Sequence, residues 1–329
     1  MSTIDVIVAT YNRHDRLERC LRALSEQTVG DFQIIVVDDN SDDPVAERLP
    51  VDLRESGNVT LLRTSSNRGP AHARNIGVQH SSAEFIAFVD DDVVPDRDLL
   101  RHHLEHAVAS KVPAVQFGPL LAPADWKPTA WNLWEAATLK VQYDRMSQGV
   151  YAPTWRQFFT GNAFLRRTDF VRAGGFNESF TRAEDIELAY RLSNQGCAFA
   201  FIEEAKGWHY AERSLSSWLA IPRQYAHFDA ELDRLYPGLL WLERVRGERQ
   251  GRHPLARLTN RTAARSSVAA CVASNCAIVA ARMAHRFRAD KVTVGLLSLA
   301  YSMAYERSLR HESRRNAIAG SGSMAQPEA

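Results

Sequence analysis

Four short apolar runs, Ile4–Ala9, Phe32–Val37, Val59–Leu62 and Glu84–Val89, divide the opening of this 329-residue chain. They are continuous rather than alternating. An alternating strand keeps one face wet, whereas a continuous run must be covered on both faces. A mostly parallel sheet flanked by helices does this, so the runs predict an α/β fold. The intervening segments supply the helices: Arg13–Gln27 carries Leu17, Leu21 and Leu24 at helical spacing, and Ala71–His80 reads as another. In such sheets ligands bind beyond the carboxyl ends of the strands. Polar clusters stand at three of those ends: Thr10–Arg13, Asp38-Asp39-Asn40-Ser41 and Asp90-Asp91-Asp92.

Past Pro95 the pattern loosens into a section read as loop-rich, with Trp126, Trp131, Trp134, Tyr143, Tyr151 and Trp155 concentrated in it. These rings either pack or stack on a sugar or an apolar acceptor. Gly161–Arg166 reads as a strand, Asp169–Ala173 as a short helix stopped by Gly174-Gly175, Glu184–Gln195 as a helix ending at Gly196, and Ala198–Glu203 as a strand. From Leu215 the chain reads as mainly helical to about Arg315, and residues 316–329 as a disordered tail.

The net charge of +1 hides an asymmetry, because residues 243–315 hold 15 Arg or Lys against 5 Asp or Glu. Such a lobe is either a solvated face or a contact for an anionic membrane or a phosphate-bearing acceptor. The uncharged stretches Ser266–Ala281 and Val292–Tyr305 fall short of the ~20 apolar residues of a spanning helix, so peripheral contact is the expected membrane role. Cys20, Cys197, Cys271 and Cys276 show no paired spacing, and the chain opens on a strand without a basic-then-apolar leader, so a cytoplasmic location is expected.

The acidic clusters carry the chemistry. The turn after the first strand lacks the glycine-rich pattern of a dinucleotide or P-loop site, so a nucleotide here needs side chains and a metal. Asp38 and Asp39 are either nucleobase or ribose acceptors or plain turn residues. Three adjacent carboxylates repel one another, and a divalent cation relieves this; Mg2+ or Mn2+ takes oxygen ligands completed by phosphate. In extended backbone Asp90 and Asp92 share a face. Thr181-Arg182-Ala183-Glu184 matches a capping box with Glu184 at the third helical position, which leaves Asp185 as the candidate general base. His209, between Trp208 and Tyr210, is either a packed residue or a further metal ligand.

Together these residues resemble the family 2 glycosyltransferases, inverting enzymes of the GT-A fold, over Ile4 to about Tyr210. Ile7-Val8-Ala9-Thr10-Tyr11-Asn12-Arg13 is similar to the family's opening strand and turn. Val36-Val37-Asp38-Asp39-Asn40-Ser41 is similar to its base-recognising element. Asn67-Arg68-Gly69 with Ala73-Arg74-Asn75-Ile76-Gly77 is similar to its diphosphate-side loop and helix, and Phe88-Val89-Asp90-Asp91-Asp92 to its D-x-D element. The resemblance implies a GT-A-type sheet with a Rossmann-like nucleotide-binding half (residues 1–95) and an acceptor half (96–212), to which the helical pattern adds an extension (213–315). It implies donor contacts from Thr10, Asn12, Arg13, Asp39, Arg74, Asp90 and Asp91, with Asp39 on uracil. Mn2+ or Mg2+ is implied on Asp92 and His209, and the base role on Asp185. There is no Q-x-x-R-W after the base, and residues 215–315 match nothing in the family pattern.

The expectation is therefore metal-dependent transfer of one sugar from a nucleoside diphosphate sugar, expected to be a UDP-sugar, to the hydroxyl of a glycan, lipid-linked or small-molecule acceptor. Nucleic acid is not an expected partner. The rival readings are a nucleotide-sugar-binding protein without turnover and a sugar-phosphate nucleotidyltransferase; the latter wants a glycine-rich loop where Thr10-Tyr11-Asn12-Arg13 stands.

Overall fold

A computed structural model describes residues 2–110, 112–180, 182–250 and 267–322. The chain divides into two compact units, one from residues 1–126 and 138–211, the other from 127–137 and from 212 onward.

The first unit contains β1 (Ile4–Thr10), α1 (His14–Ser25), β2 (Phe32–Asp38), the single turns α2 (Val45–Arg48) and α3 (Val51–Arg54), β3 (Val59–Arg63), α4 (Pro70–His80) and β4 (Phe85–Val89). It continues through β5 (Val93–Pro95), α5 (Leu99–Ala109), β6 (Ala114–Phe117), β7 (Leu120–Leu121), most of α6 (Ala130–Ser147), β8 (Asn162–Arg166), α7 (Arg167–Arg172), α8 (Glu184–Asn194), β9 (Ala198–Phe201) and β10 (Gly207–His209). Among the described residues a seven-stranded sheet runs β3-β2-β1-β4-β8-β6-β9, and β5-β10-β7 form a smaller one. Strands β1 to β4 are mutually parallel, while β8 enters antiparallel to both β4 and β6.

Both faces of the sheet are buried along β1, β2 and β4, as their continuous runs require, whereas the run Val59–Leu62 forms the edge strand β3 and is only partly buried. Val6 and Val8 of β1 join Leu17, Leu21 and Phe164 in one layer, whereas Ile7 joins Val37, Phe88, Phe117 and Leu188 in the other. Each such side chain contributes ~1.5–3 kcal/mol by leaving water. Helix α4 opens with Pro70, whose fixed φ suits a first turn, after Gly69 at φ 91°. Gly77 lets that helix approach β1, since a Cβ there would lie 2.5 Å from Ile7 Cγ2.

The section after Pro95 is not loop-rich. It holds α5, the interior strand β6 and the 18-residue α6. Strand β6 is only four residues long, and its place is decided by pairing with β8 and β9, which no local pattern announces. The aromatic residues of this section pack. Tyr143 stacks on Phe201 at 5.3 Å and Trp155 meets Tyr190 edge-on at 5.2 Å.

The second unit takes the start of α6 with α9 (Leu215–Leu235), α10 (Trp241–Gln250), α11 (Ser267–Arg286) and α12 (Asp290–Gly322). Its core gathers Trp218, Ile221, Ile278, Ala281, Leu297 and Ala300, with Trp131 and Trp134 against them. Trp134 stacks on Tyr301 at 5.0 Å, so residues 127–137 belong to the helical unit rather than to one contiguous first domain. Two expectations change here. Helix α12 continues to Gly322, where a disordered tail was expected from residue 316; residues 323–329 lie outside the described ones. Helix α11 extends past its uncharged stretch through Arg282, and Val268–Arg286 is long and apolar enough to cross a membrane by length and composition, though only 22% of it is buried.

Candidate active site

Because β1, β2 and β4 are adjacent and parallel, the polar clusters that follow them converge on one edge of the sheet. Thr10 ends β1 buried, and its hydroxyl donates to Asp91 Oδ2 at 2.7 Å. Asn12 takes a left-handed conformation (φ 54°), which Asn tolerates, and its side chain exchanges two hydrogen bonds with Asp42. It thereby ties the β1 turn to the β2 turn. Asp38 is buried, accepts the Ser41 and Val45 N–H groups, and pairs with Arg63. Burial raises its carboxyl, but those hydrogen bonds outweigh it and hold the group below the usual carboxylate range.

Asp39 stands beyond β2, also buried. Its oxygens accept the Thr64 hydroxyl at 3.0 Å, Arg68 N–H at 3.1 Å and Gly69 N–H at 2.7 Å. The residue expected on the base thus anchors the loop that enters α4.

The acidic triplet after β4 divides by environment. Asp91 points inward and pairs with Arg13 at 3.0 Å; burial pushes it up to about 6 against the pull of Arg13, with Asp92 adding repulsion. Asp92 goes the other way, down to about 2: burial alone would raise it, but His209, Arg13 and Arg16 offset that. Asp90 is a third exposed and accepts from Arg74 Nη2 at 2.7 Å. Opposite it, a Cβ on Gly161 would lie 2.8 Å from Asp90 Oδ2, so the strand opening β8 leaves room for this carboxylate.

His209 reaches the triplet through pairing that no local motif encodes. Strand β10 runs antiparallel to β5 with His209 opposite Val93, and Tyr210 N–H donates to the Asp92 carbonyl at 2.9 Å. His209 Nε2 consequently lies 3.4 Å from Asp92 Oδ1. That separation suits adjacent ligands of one Mn2+ or Mg2+ ion, with phosphate and water completing the shell. Among the described residues no group of three His, Cys, Asp or Glu surrounds a common point.

The second acidic cluster meets the first on one guanidinium. Buried Arg74 donates through Nη1 to Glu184 Oε1 at 3.0 Å, 110 positions along the chain, as well as through Nη2 to Asp90. The expected helix start, with Glu184 in the third helical position, is not the observed one. Helix α8 starts at Glu184 with Ala183 as its N-cap in a left-handed conformation (φ 60°), and Thr181 lies outside the described residues. Glu184 is held by its ion pair with Arg74. Asp185, half-buried beside it, accepts its own helix's Ile186 N–H at 2.8 Å, and no ion pair holds it among the described residues. Burial and the Glu184 charge push Asp185 up to about 7, with Arg74 and Arg182 pulling down.

One supporting group went unnoticed in the sequence. Glu178 binds Asn75 at 3.1 Å, His72 at 3.0 Å and Arg68 at 2.7 Å, while Asn75 exchanges hydrogen bonds with the Phe176 backbone. This ties the loop before Asp185 to α4. Asn75 stood within a quoted motif, but nothing local marked Glu178.

With this geometry, comparison with known proteins is decisive for the family. The model of "Glycosyl transferase family 2" matches residues 5–174, more than half of the chain. The chain belongs to glycosyl transferase family 2. A validoxylamine A glucosyltransferase of Streptomyces hygroscopicus subsp. limoneus is 29% identical over 231 residues, covering 62% of this chain and 51% of the relative. A pre-mycofactocin glycosyltransferase of Mycobacterium tuberculosis (strain CDC 1551) is 26% identical over 235 residues, covering 71% and 48%. The chain spans about half the length of these curated relatives. Among solved structures, a Pyrobaculum calidifontis mannosyltransferase in complex with GDP-Man and Mn2+ is similar with a TM-score of 0.61 at 18% identity, covering 93% of this chain and 86% of that one. Fold and family thus agree: this family 2 chain has the mostly parallel, helix-flanked GT-A-type sheet and a helical C-terminal region.

Proposed function

We propose that this chain is a metal-dependent inverting glycosyltransferase that moves one sugar from a nucleoside diphosphate sugar, expected to be a UDP-sugar, to an acceptor hydroxyl. The observation that carries the reading is Arg74, whose guanidinium joins Asp90 of the donor-side triplet to Glu184, the neighbour of Asp185. Inversion requires attack opposite the departing diphosphate, so donor-binding and base-bearing carboxylates must flank one sugar-sized space. The GDP-Man and Mn2+ bound to the mannosyltransferase, and the UDP bound to TarS 1-349 of S. aureus (TM-score 0.50, 17% identity), support a nucleotide-sugar donor.

In this reaction Asp185 accepts the acceptor's hydroxyl proton as that oxygen bonds to the anomeric carbon, and the carbon–diphosphate bond breaks with its electron pair on the diphosphate. Raised basicity, with no ion pair to it among the described residues, suits Asp185 to this task. Glu184, held by Arg74, fixes the start of α8 and so the direction of Asp185. Asp92 and His209 would hold Mn2+ or Mg2+, which when bound neutralises charge on the leaving diphosphate. Arg13 and Arg16 bring further positive charge to the same carboxylate. Asp39 shapes the loop through Gly69 against which the base and ribose would lie.

The test is Asp185→Asn, which keeps size and hydrogen bonding. Nucleotide affinity with Mn2+ should stay within about twofold, and diphosphate release in the presence of acceptor should fall by about 10²–10⁴. Near-normal turnover would remove Asp185 from the base role. Wild-type chain that binds donor yet turns over none across a broad acceptor set would favour a binding protein.

A further inference from the structure

We infer that the exposed face of α11 docks on an anionic lipid bilayer, holding the chain at a membrane surface through one side of that helix. This goes beyond the proposed transfer reaction and does not depend on it. The inward side of α11 is formed by Ala270, Ser274, Ile278 and Ala281, all buried. Ser274 donates to the Ala300 carbonyl of α12, and His285 meets the Pro128 carbonyl.

The outward side is apolar where a helix facing water would carry charge. Val268 is 75% exposed, Val272 and Val279 58% each and Met283 59%, and no charged residue occurs from Ser267 to Ala281. At about 100° per residue these four side chains fall within roughly 60° of arc. Phe287, just past the helix end, is 78% exposed and continues the stripe. From Val268 to Phe287 it runs ~28 Å at 1.5 Å per residue. Asn275, also exposed, is the polar residue beside the stripe between Val272 and Val279; single exposed apolar residues need no explanation, but a stripe of this length does.

Charge selects the occupant. Arg282 and Arg286 are exposed at the C-terminal end of the stripe, with Arg288 and Lys291 just beyond it and Asp290 as the acid among them. Apolar side chains entering the acyl boundary, with long basic side chains at headgroup level, are the features of an interfacial helix. Anionic headgroups complement the cations. Although α11 is long enough to cross a bilayer, its inward face is occupied by protein and cannot be surrounded by lipid, which leaves surface contact.

The experiment is co-flotation of the full chain with phosphatidylcholine vesicles, with or without about 30% phosphatidylglycerol as the anionic lipid. The wild type should float with the anionic vesicles and much less with neutral ones. The triple substitution Val272→Ser, Val279→Ser, Met283→Ser should lower partitioning at least about tenfold. Arg282→Gln, Arg286→Gln and Arg288→Gln should each lower it about fivefold, on the anionic vesicles only. Circular dichroism checks folding; if the triple variant does not fold, Phe287→Ser, outside the helix, carries the test. Wild type that stays soluble with anionic vesicles, or apolar variants that float as well as wild type, would overturn the inference. So would a lipid-free dimer in sedimentation velocity that the apolar substitutions dissociate, since the stripe would then bind a second copy of the chain.

Discussion

Replacing Arg74 with methionine keeps much of the stem's bulk and deletes the cation that joins the two acidic clusters. Arg74 is 7% exposed, and the Glu184 and Asp90 side chains are 12% and 35% exposed. Removing one partner of a fully buried pair costs about 3–5 kcal/mol. The Glu184 arm lies near that regime, whereas the Asp90 arm, a third exposed, is screened and counts for about 1 kcal/mol or less. Solvent reaching Glu184 through the vacated edge trims the larger figure, so the total is about 2–4 kcal/mol. At roughly 2–4 °C per kcal/mol for a domain of this size, Tm should fall by about 4–16 °C. Catalysis should respond separately. Arg74 holds down the basicity of Asp185, so its loss raises the carboxyl further. A base works deprotonated, and the acid limb of kcat/KM should therefore move to higher pH. Arg74→Lys keeps the charge but not the two-armed fork; it should restore the limb more completely than the Tm. Calorimetry and a pH–rate profile on the three proteins measure both effects. Unchanged Tm and an unmoved acid limb in Arg74→Met would refute the idea that this guanidinium couples the clusters.

The wild-type profile itself should fall about tenfold per pH unit below about 7 as Asp185 protonates, and the residual activity of Asp185→Asn should lack that limb. Asp92→Asn and His209→Ala should each raise the Mn2+ concentration for half-maximal activity by at least about tenfold; an unaltered metal titration in His209→Ala takes that residue out of the site. His103, fully buried between Gln116 and Asn162, is pushed down to about 4 by burial. Its unfolded form binds a proton near pH 6.5, so its contribution is complete above that pH and lost as pH falls toward about 4, a change of about 3 kcal/mol. Urea melts across this window should show the slope in wild type and a shallower one in His103→Gln.

Much of this was legible in the chain because it is written locally. The continuous runs of β1, β2 and β4 mark strands buried on both faces, and the polar residues ending each run mark the ligand edge. Leu17, Leu21 and Leu24 announced α1, and all three are buried. Local writing also misled. The Thr181–Glu184 spacing satisfies a capping pattern that would put Glu184 in the third helical position, yet α8 begins at Glu184 itself, after Ala183 in a left-handed conformation that no propensity rule announces. The middle section was misjudged for a related reason: β6 is too short for periodicity to show, and its partners β8 and β9 lie far along the chain.

By itself, then, the sequence determined the parallel strands β1, β2 and β4 and the carboxyl-end clusters at Thr10–Arg13, Asp38–Ser41 and Asp90–Asp92, since side-chain periodicity and turn chemistry act over a few residues. Tertiary structure alone decided which carboxylates work together. Asp90 and Glu184 share Arg74 across 16 and 110 positions, and His209 reaches Asp92 only because β10 pairs with β5. Such meetings depend on strand register and helix placement summed over the whole core, and no short stretch of chain encodes them.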